Sequence, residues 1–171
     1  MVLWPEIVDA LGDSATVLAA GGVGSGRQIA AALALGASGV WMGSYWLTTS
    51  EYKLGAAAAG PSSVQRALLG ASSSDTVRSR IYSGKPARLL KTKWTEAWSK
   101  PEAPSPLPMP LQNLLVSEAH QRIAAADDPE VVAMPVGQIV GRMNEIRPVA
   151  EIMAELVAGY EQAVDRLNAA R

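Results

Sequence analysis

The strongest constraint on the fold is a pair of short apolar segments that each end in glycine. Residues 16–20 are followed by Gly21-Gly22, and residues 39–42 are followed by Gly43-Ser44. Between them, residues 26–35 have the apolar spacing of a helix. A strand–helix–strand unit of this length implies parallel strands joined by a right-handed crossover. We therefore predict an α/β fold with both glycine turns at the carboxyl edge of one sheet.

Glycine turns at such an edge expose backbone N–H groups, which favours phosphate binding. Two standard phosphate loops do not fit. The dinucleotide pattern G-x-G-x-x-G matches Gly22 and Gly24 but fails at Arg27, and the nucleotide P-loop fails because Arg27-Gln28 replaces Lys-Ser/Thr. The hydroxyl of Ser44 and the dipole of a helix starting near Arg27 favour a phosphate site. The alternative is that these glycines only make a tight turn.

Composition limits the classes of protein. The 171 residues are short for a complete (β/α)8 barrel, which needs about 250. A net charge of −1 argues against nucleic-acid binding. The absence of cysteine excludes disulfides, and one histidine does not supply a metal site. Neither a membrane-length apolar run nor a signal peptide is present, so we predict a cytoplasmic protein without a membrane partner.

Further helices are predicted from caps and apolar spacing. One begins at Pro5 and is closed by Gly12, and a capping box at residues 48–51 predicts another from Glu51. A short helix follows Pro61 and ends near Leu69. Residues 16–20 read as a strand buried on both faces.

The second half of the chain differs in its composition and in its apolar spacing. Residues 71–110 are predicted to be a loop and a proline-rich connection, because residues 100–110 hold five prolines. Residues 111–171 are predicted to be helical. One helix spans about Leu111 to Ala126, and the last begins at Pro148. The first of these has an apolar side of Leu111, Leu114, Leu115 and Ile123.

Three segments resemble the nitronate monooxygenase family, formerly called 2-nitropropane dioxygenases: 19–23, 30–40 and 42–44. The resemblance is strong over residues 3–52. It continues more weakly through Ser83–Arg88, similar to the Gly-x-Pro-Ala-Arg element, and through Pro135–Gln138. It implies an FMN-dependent TIM (β/α)8 barrel similar to FMN-using enoyl-acyl carrier protein reductases. Residues 1–70 would be the C-terminal part of that barrel, its last two strands, followed by the connection and an α-helical C-terminal extension.

The resemblance also implies the cofactor site. Gly21, Gly22, Gly43 and Ser44 match the residues that hold the FMN phosphate, and Ala20 completes the predicted site. Serine stands here where threonine is commoner, which keeps the hydroxyl. The glycine-rich first strand and the Gly-Gly-His segment with the family's proposed base are not matched by any part of this chain. We therefore assign no catalytic residue and no metal ligand.

Three functions remain open at this point. The first is a flavoprotein oxidoreductase of the nitronate monooxygenase type, acting on a nitronate. The second is an FMN-dependent reductase of enones or enoyl thioesters on the same scaffold. The third is a non-catalytic truncated remnant. A fragment of this kind would be inactive alone and would need a homo-oligomer or an N-terminal partner, with Val17, Leu18, Val40 and Met42 exposed in isolation.

Other residues have mainly structural interpretations. His120 is predicted to be a solvated surface residue, and Asp127-Asp128 a helix end or turn. Trp94 and Trp98 are expected to pack. Tyr45 and Trp46 either touch flavin or substrate or belong to the core. A basic run is predicted to be a solvated, mobile face; it comprises Arg78, Arg80, Lys85, Arg88, Lys91 and Lys93.

Overall fold

The computed structural model describes residues 2–53 and 60–170. Strand β1 (Leu18–Ala20) pairs with β2 (Gly39–Trp41), and β3 (Thr76–Ser79) pairs with β4 (Ala87–Leu90). The α-helices are α1 (Leu3–Leu11), α2 (Gly26–Ala34), α3 (Ser63–Leu69), α4 (Lys93–Trp98), α5 (Leu111–Ala126) and α6 (Val149–Ala169). Short 3-10 helices lie at Gly12–Ser14, Ser44–Thr48, Pro129–Val131 and Gln138–Arg142.

The β1–α2–β2 unit has the predicted parallel arrangement, with Leu18 opposite Gly39 and Ala20 opposite Trp41. The prediction that the first strand is buried on both faces is wrong. Ala19 is fully buried, but Leu18 is 46% exposed and Trp41 is 68% exposed. Side chains alternate along a strand, so Leu18, Ala20 and Trp41 share one face. That face is open, while α2 covers the other.

The prediction that four apolar residues are exposed in the isolated chain is therefore only partly correct. Leu18 is exposed, whereas Val17, Val40 and Met42 are half-buried. The difference has a simple cause. Val40 packs with Ala19 and with Ala32 of α2, and Met42 packs against the main core.

The main core lies between α3, α6 and the 3-10 helix Gln138–Arg142. Its most deeply buried apolar side chains are Leu68, Val140 and Met143. Helix α6 crosses α2 closely, because a Cβ on Gly26 would lie only 2.1 Å from the backbone nitrogen of Tyr160. The core thus anchors α6 against the start of α2, which follows the first glycine turn.

Several helix boundaries differ from those predicted. Helix α1 begins at Leu3, two residues before Pro5. No helix begins at Glu51, and Tyr52 and Lys53 are not helical; residues 54–59, onto which the predicted helix would extend, lie outside the described residues. The Glu51 carboxylate instead accepts the Val149 N–H at 2.9 and 3.0 Å. It caps α6, whose N-cap residue Pro148 makes no side-chain cap bond.

The predicted α3 and the non-helical proline-rich segment are confirmed, but residues 71–110 also contain the β3–β4 hairpin and α4. The apolar side predicted for α5 is largely solvent-exposed, with Leu114 66% exposed. The helix buries Gln112 and Val116 instead. Gln112 donates to the Ile81 carbonyl at 2.9 Å and accepts the Leu107 N–H at 2.9 Å, which joins α5 to the hairpin and the proline-rich segment.

Candidate cofactor site at the paired glycine turns

Both glycine turns leave the same edge of the β1–β2 sheet. Ala20 and Trp41 are partners in register, so Gly21 follows one strand end where Met42 and Gly43 follow the other. The structure thereby places all five predicted site residues, Ala20, Gly21, Gly22, Gly43 and Ser44, at this edge. Their role in binding stays a prediction.

The first turn has a backbone that favours glycine. Gly21 has φ +96° and Gly22 has φ +72°, a region that residues with a Cβ rarely adopt. Apart from the adjoining residues of the chain, no atom lies within 4 Å of where a Cβ would stand on either glycine. The space beside the turn is therefore open, and the conformation is set by the backbone.

The second turn presents the start of a short helix. Gly43 precedes the 3-10 helix Ser44–Thr48, and a Cβ on Gly43 would also meet nothing within 4 Å. The first N–H groups of a helix have no acceptor inside it. The hydroxyl of Ser44 accepts the Gly137 N–H at 3.0 Å, so its own proton is available to another acceptor. Gly137 belongs to the late segment that resembles the family.

Gln28 is a mismatch to the P-loop pattern, but its side chain braces the first glycine turn. Its Oε1 accepts the Gly24 N–H at 2.9 Å, and its Nε2 donates to the Gly22 carbonyl at 2.7 Å. Gln28 lies one helical turn after the N-cap residue Ser25, and a side-chain amide there reaches back over the turn. A glutamine three residues after a serine N-cap was the available signal.

Tyr45 belongs to the core. It is 7% exposed, and its ring meets Trp46 edge-on at 6.3 Å. Burial raises the pKa of the Tyr45 phenol, and the Glu155 carboxylate raises that pKa further. The Tyr45 ring packs against the first glycine turn. A Cβ on Gly24 would lie 3.3 Å from a carbon atom of that ring.

The prediction that His120 is a solvated surface residue is wrong. Its ring stacks on Tyr82 at 4.9 Å and meets Trp94 edge-on at 5.7 Å. Burial lowers the pKa of the His120 imidazole. Among the described residues, neither His120 Nε2 nor Trp94 Nε1 has a hydrogen-bond partner, although both atoms are buried. The packing role predicted for Trp94 and Trp98 is confirmed by their edge-on contact at 5.9 Å.

The predicted basic run is not a uniformly solvated face. Arg88 is half-buried and donates to Thr76 Oγ1 at 3.1 Å, and Lys93 forms an ion pair with Glu130. The predicted turn at Asp127 is confirmed, with φ +47°. The Asp127 carboxylate accepts the Ser63 N–H at 2.7 Å, and this bond lowers the pKa of the Asp127 carboxyl.

Two cavities lie beside the β1–β2 sheet and helices α2 and α6. An apolar groove of about 670 Å³ runs between α2, β2 and α6 and includes Trp41 and Tyr160. A more polar cleft of about 520 Å³ lies where α2 begins against α6, and Arg27, Arg142 and Arg166 line it. None of the five predicted site residues lines either one.

Over residues 2–53 and 60–170, no group of three acidic or histidine side chains is arranged to hold a metal ion. Among the helices in those ranges, none is both long and apolar enough to cross a bilayer.

The family model for nitronate monooxygenase matches residues 1–159. The chain belongs to the nitronate monooxygenase family. A Mycobacterium tuberculosis protein named as a monooxygenase is 49% identical over 98% of this chain, which covers 44% of that relative. A Staphylococcus aureus protein named as a nitronate monooxygenase is 33% identical over 94% of this chain and 42% of its own length. This member thus spans less than half the length of these curated relatives.

Solved structures show the same α/β fold. The nitroalkane oxidase of Streptomyces ansochromogenes superposes with a TM-score of 0.80 at 30% identity, over 97% of this chain and 44% of that one. FabK of Thermotoga maritima superposes with a TM-score of 0.75 at 27% identity, over 99% of this chain and 51% of that one. The family assignment and the fold therefore agree.

Proposed function

We propose that this chain is the phosphate-binding end of an FMN-dependent oxidoreductase of the nitronate monooxygenase type. The observation that carries the proposal is the pair of glycine turns at adjoining strand ends, Gly21-Gly22 and Gly43-Ser44. In this account β1 and β2 are the last two strands of a (β/α)8 barrel, whose phosphate sites lie in the loops after those strands.

The residues present fit a phosphate group. Gly21, Gly22 and Gly43 have open space where a side chain would stand, so phosphate oxygens could approach their backbone closely. Ser44 offers a hydroxyl proton, because its oxygen already accepts the Gly137 N–H. With a net charge of −1 for the whole chain, backbone dipoles rather than bulk charge would provide the attraction.

Bound FMN would supply the two-electron redox chemistry, and the protein would supply binding and orientation. The turns would hold the phosphate by backbone N–H groups and the Ser44 hydroxyl. The open sheet face of Leu18, Ala20 and Trp41 would point into the barrel, away from α2. No residue of this chain is assigned as the catalytic base, so in this proposal the proton transfer would be carried out by the part of such an enzyme that this chain does not match.

A second function keeps the same site and changes the substrate. The resemblance of the sequence to FMN-using enoyl-acyl carrier protein reductases favours a reductase of enones or enoyl thioesters as the alternative. The long helices after the proline-rich segment are compatible with a substrate bulkier than a nitroalkane. The third function is a non-catalytic remnant, and the open face of the β1–β2 sheet favours it for the chain in isolation.

The remaining predictions form part of the same proposal. Residues 1–70 would belong to the barrel, and residues 111–171 would form the helical extension. Residues 71–110 would be the loop and proline-rich connection between them. The protein would be cytoplasmic and would act on a small molecule, with a homo-oligomer or an N-terminal partner completing the barrel.

Flavin titration and two assays separate these functions. The chain, or the longest natural protein that contains it, is titrated with FMN and riboflavin and then assayed with oxygen plus a nitronate, and with NADPH plus an enone. Tighter binding of FMN than riboflavin with nitronate-dependent oxygen uptake supports the first function. NADPH oxidation that requires the enone supports the second. Absence of any flavin binding contradicts both enzyme functions and supports the non-catalytic remnant.

A further inference from the structure

We infer that Gln28 is a positioning residue for the FMN phosphate, because its side-chain amide fixes the orientation of the first glycine turn. The inference rests on the proposed function. It adds a residue outside the predicted site that would act through the backbone of the turn and would not touch the cofactor.

The amide of Gln28 is joined to the turn at three points. Its Oε1 accepts the Gly24 N–H at 2.9 Å and lies 3.1 Å from the Ser25 hydroxyl, which donates to it. Its Nε2 donates to the Gly22 carbonyl at 2.7 Å. The side chain therefore holds one backbone acceptor, one backbone donor and one hydroxyl of the turn at once.

These bonds fix two successive peptide planes. The bond to the Gly22 carbonyl sets the plane between Gly22 and Val23, and the bond from the Gly24 N–H sets the next plane. In a trans peptide the carbonyl and the N–H point in opposite directions, so the Val23 N–H points away from Gln28. Gly22 has many accessible conformations when free, because it lacks a Cβ. The clamp restricts the backbone from the Gly22 carbonyl to the Gly24 N–H before a ligand arrives.

A glutamine amide suits the bracing of this turn better than the carboxylate of a glutamate, which has a similar size. A glutamate would keep the acceptor for Gly24 but would lose the donor to the Gly22 carbonyl. It would also place a negative charge beside a phosphate. The base of the clamp is rigid, since Gln28 lies in the first turn of α2 and its own N–H is capped by Ser25 at 3.3 Å.

The test compares Gln28→Met, which preserves length without hydrogen bonding, with wild type and with the control Gln121→Ala on the exposed side of α5. Flavin fluorescence gives the Kd for FMN and for riboflavin, which lacks the phosphate. We expect Gln28→Met to weaken FMN binding by roughly tenfold, the factor that one or two lost hydrogen bonds of ordinary strength correspond to. Its riboflavin Kd and both Kd values of the control should match wild type.

Amide hydrogen exchange provides a readout without flavin. The Gly24 amide should exchange faster in Gln28→Met, while the α6 amides keep their protection, which shows that the variant is folded. Equal FMN affinity of Gln28→Met and wild type, or equal loss for FMN and riboflavin, would overturn the clamp and leave the proposed function standing. Failure of wild type to bind FMN would overturn both.

Discussion

Gly26 and Gly159 meet where α2 begins against α6. A Cβ on Gly26 would lie 2.1 Å from the Tyr160 nitrogen and 2.3 Å from the Gly159 carbonyl carbon, whereas a Cβ on Gly159 would lie 3.5 Å from the nearest atoms of Gly26. The crossing is therefore tight on one side only. It ties the helix after the first glycine turn to the last helix of the chain.

Replacement of Gly26 by alanine is expected to destabilise the fold. The nearest neighbours of that Cβ are backbone atoms of α6, which move only if the helix moves. Overpacking of this kind costs about 1–3 kcal/mol. Gly159→Ala is the matched control, because its Cβ makes an ordinary contact and alanine in a helix interior is favoured over glycine by about 1 kcal/mol. Urea unfolding of both variants measures the difference. A Gly26→Ala variant as stable as Gly159→Ala would show that the helices do not cross this closely.

Glu51 is expected to make the stability of α6 dependent on pH. Its hydrogen bond from the Val149 N–H lowers the pKa of the Glu51 carboxyl from its ordinary value of 4.5. The stabilisation is present above that value and is lost as the pH falls through the lower pKa of the folded state. Glu51→Gln should therefore lower the Tm at neutral pH and have less effect in acid. Glu102→Gln, at an exposed glutamate of the proline-rich segment, is the control. An equal deficit at both pH values would contradict a charge-dependent cap.

His120 gives a second pH dependence that can be observed directly, because it is the only histidine of the chain. Burial lowers the pKa of its imidazole from the ordinary 6.5. The folded state therefore loses stability as the pH falls from 6.5 toward the lower folded-state value. NMR titration of the ring protons should give a pKa below 6.5. His120→Phe should flatten the dependence of the Tm on pH between 7 and 5. A pKa of the His120 ring at or above 6.5 would contradict its burial and would favour a solvated surface position.

The open face of the β1–β2 sheet is expected to bind apolar dye when the chain is purified alone. Trp41 is 68% exposed, and Leu18 lies on the same face at 46%. Trp41→Ser should reduce dye fluorescence and association, while Leu167→Ser, which removes a leucine 56% exposed near the end of α6, should change them little. A monodisperse monomer that melts cooperatively and binds no dye would contradict this account.

The β1–α2–β2 unit could be predicted from the sequence because its signals are local. Continuous apolar residues, a helix-length spacer and Gly21-Gly22 all favour the same topology. The β3–β4 hairpin was missed, since its four-residue strands depend on pairs such as Thr76 with Leu90, far apart along the chain. The clamp by Gln28 has a local signal, a glutamine three residues after the N-cap Ser25, which a comparison with the P-loop pattern does not reveal.

Burial of polar side chains in the second half was not predictable from spacing. Gln112 is fully buried because the Ile81 carbonyl and the Leu107 N–H lie on either side of it. His120 is covered by Tyr82 and Trp94, which come from other elements. Tertiary partners decided which side of α5 faces inward, against its apolar pattern.

The proposed phosphate site is tested most directly by backbone amide NMR of the isotopically labelled chain during titration with FMN. The predicted result is that the amide signals of Gly21, Gly22, Gly43 and Ser44 shift with FMN and not with riboflavin at the same concentration. The Gly70 amide, at the end of α3, is the internal reference and should stay in place. Unchanged signals at both turns, or equal shifts with riboflavin, would contradict the assignment of these turns to the FMN phosphate.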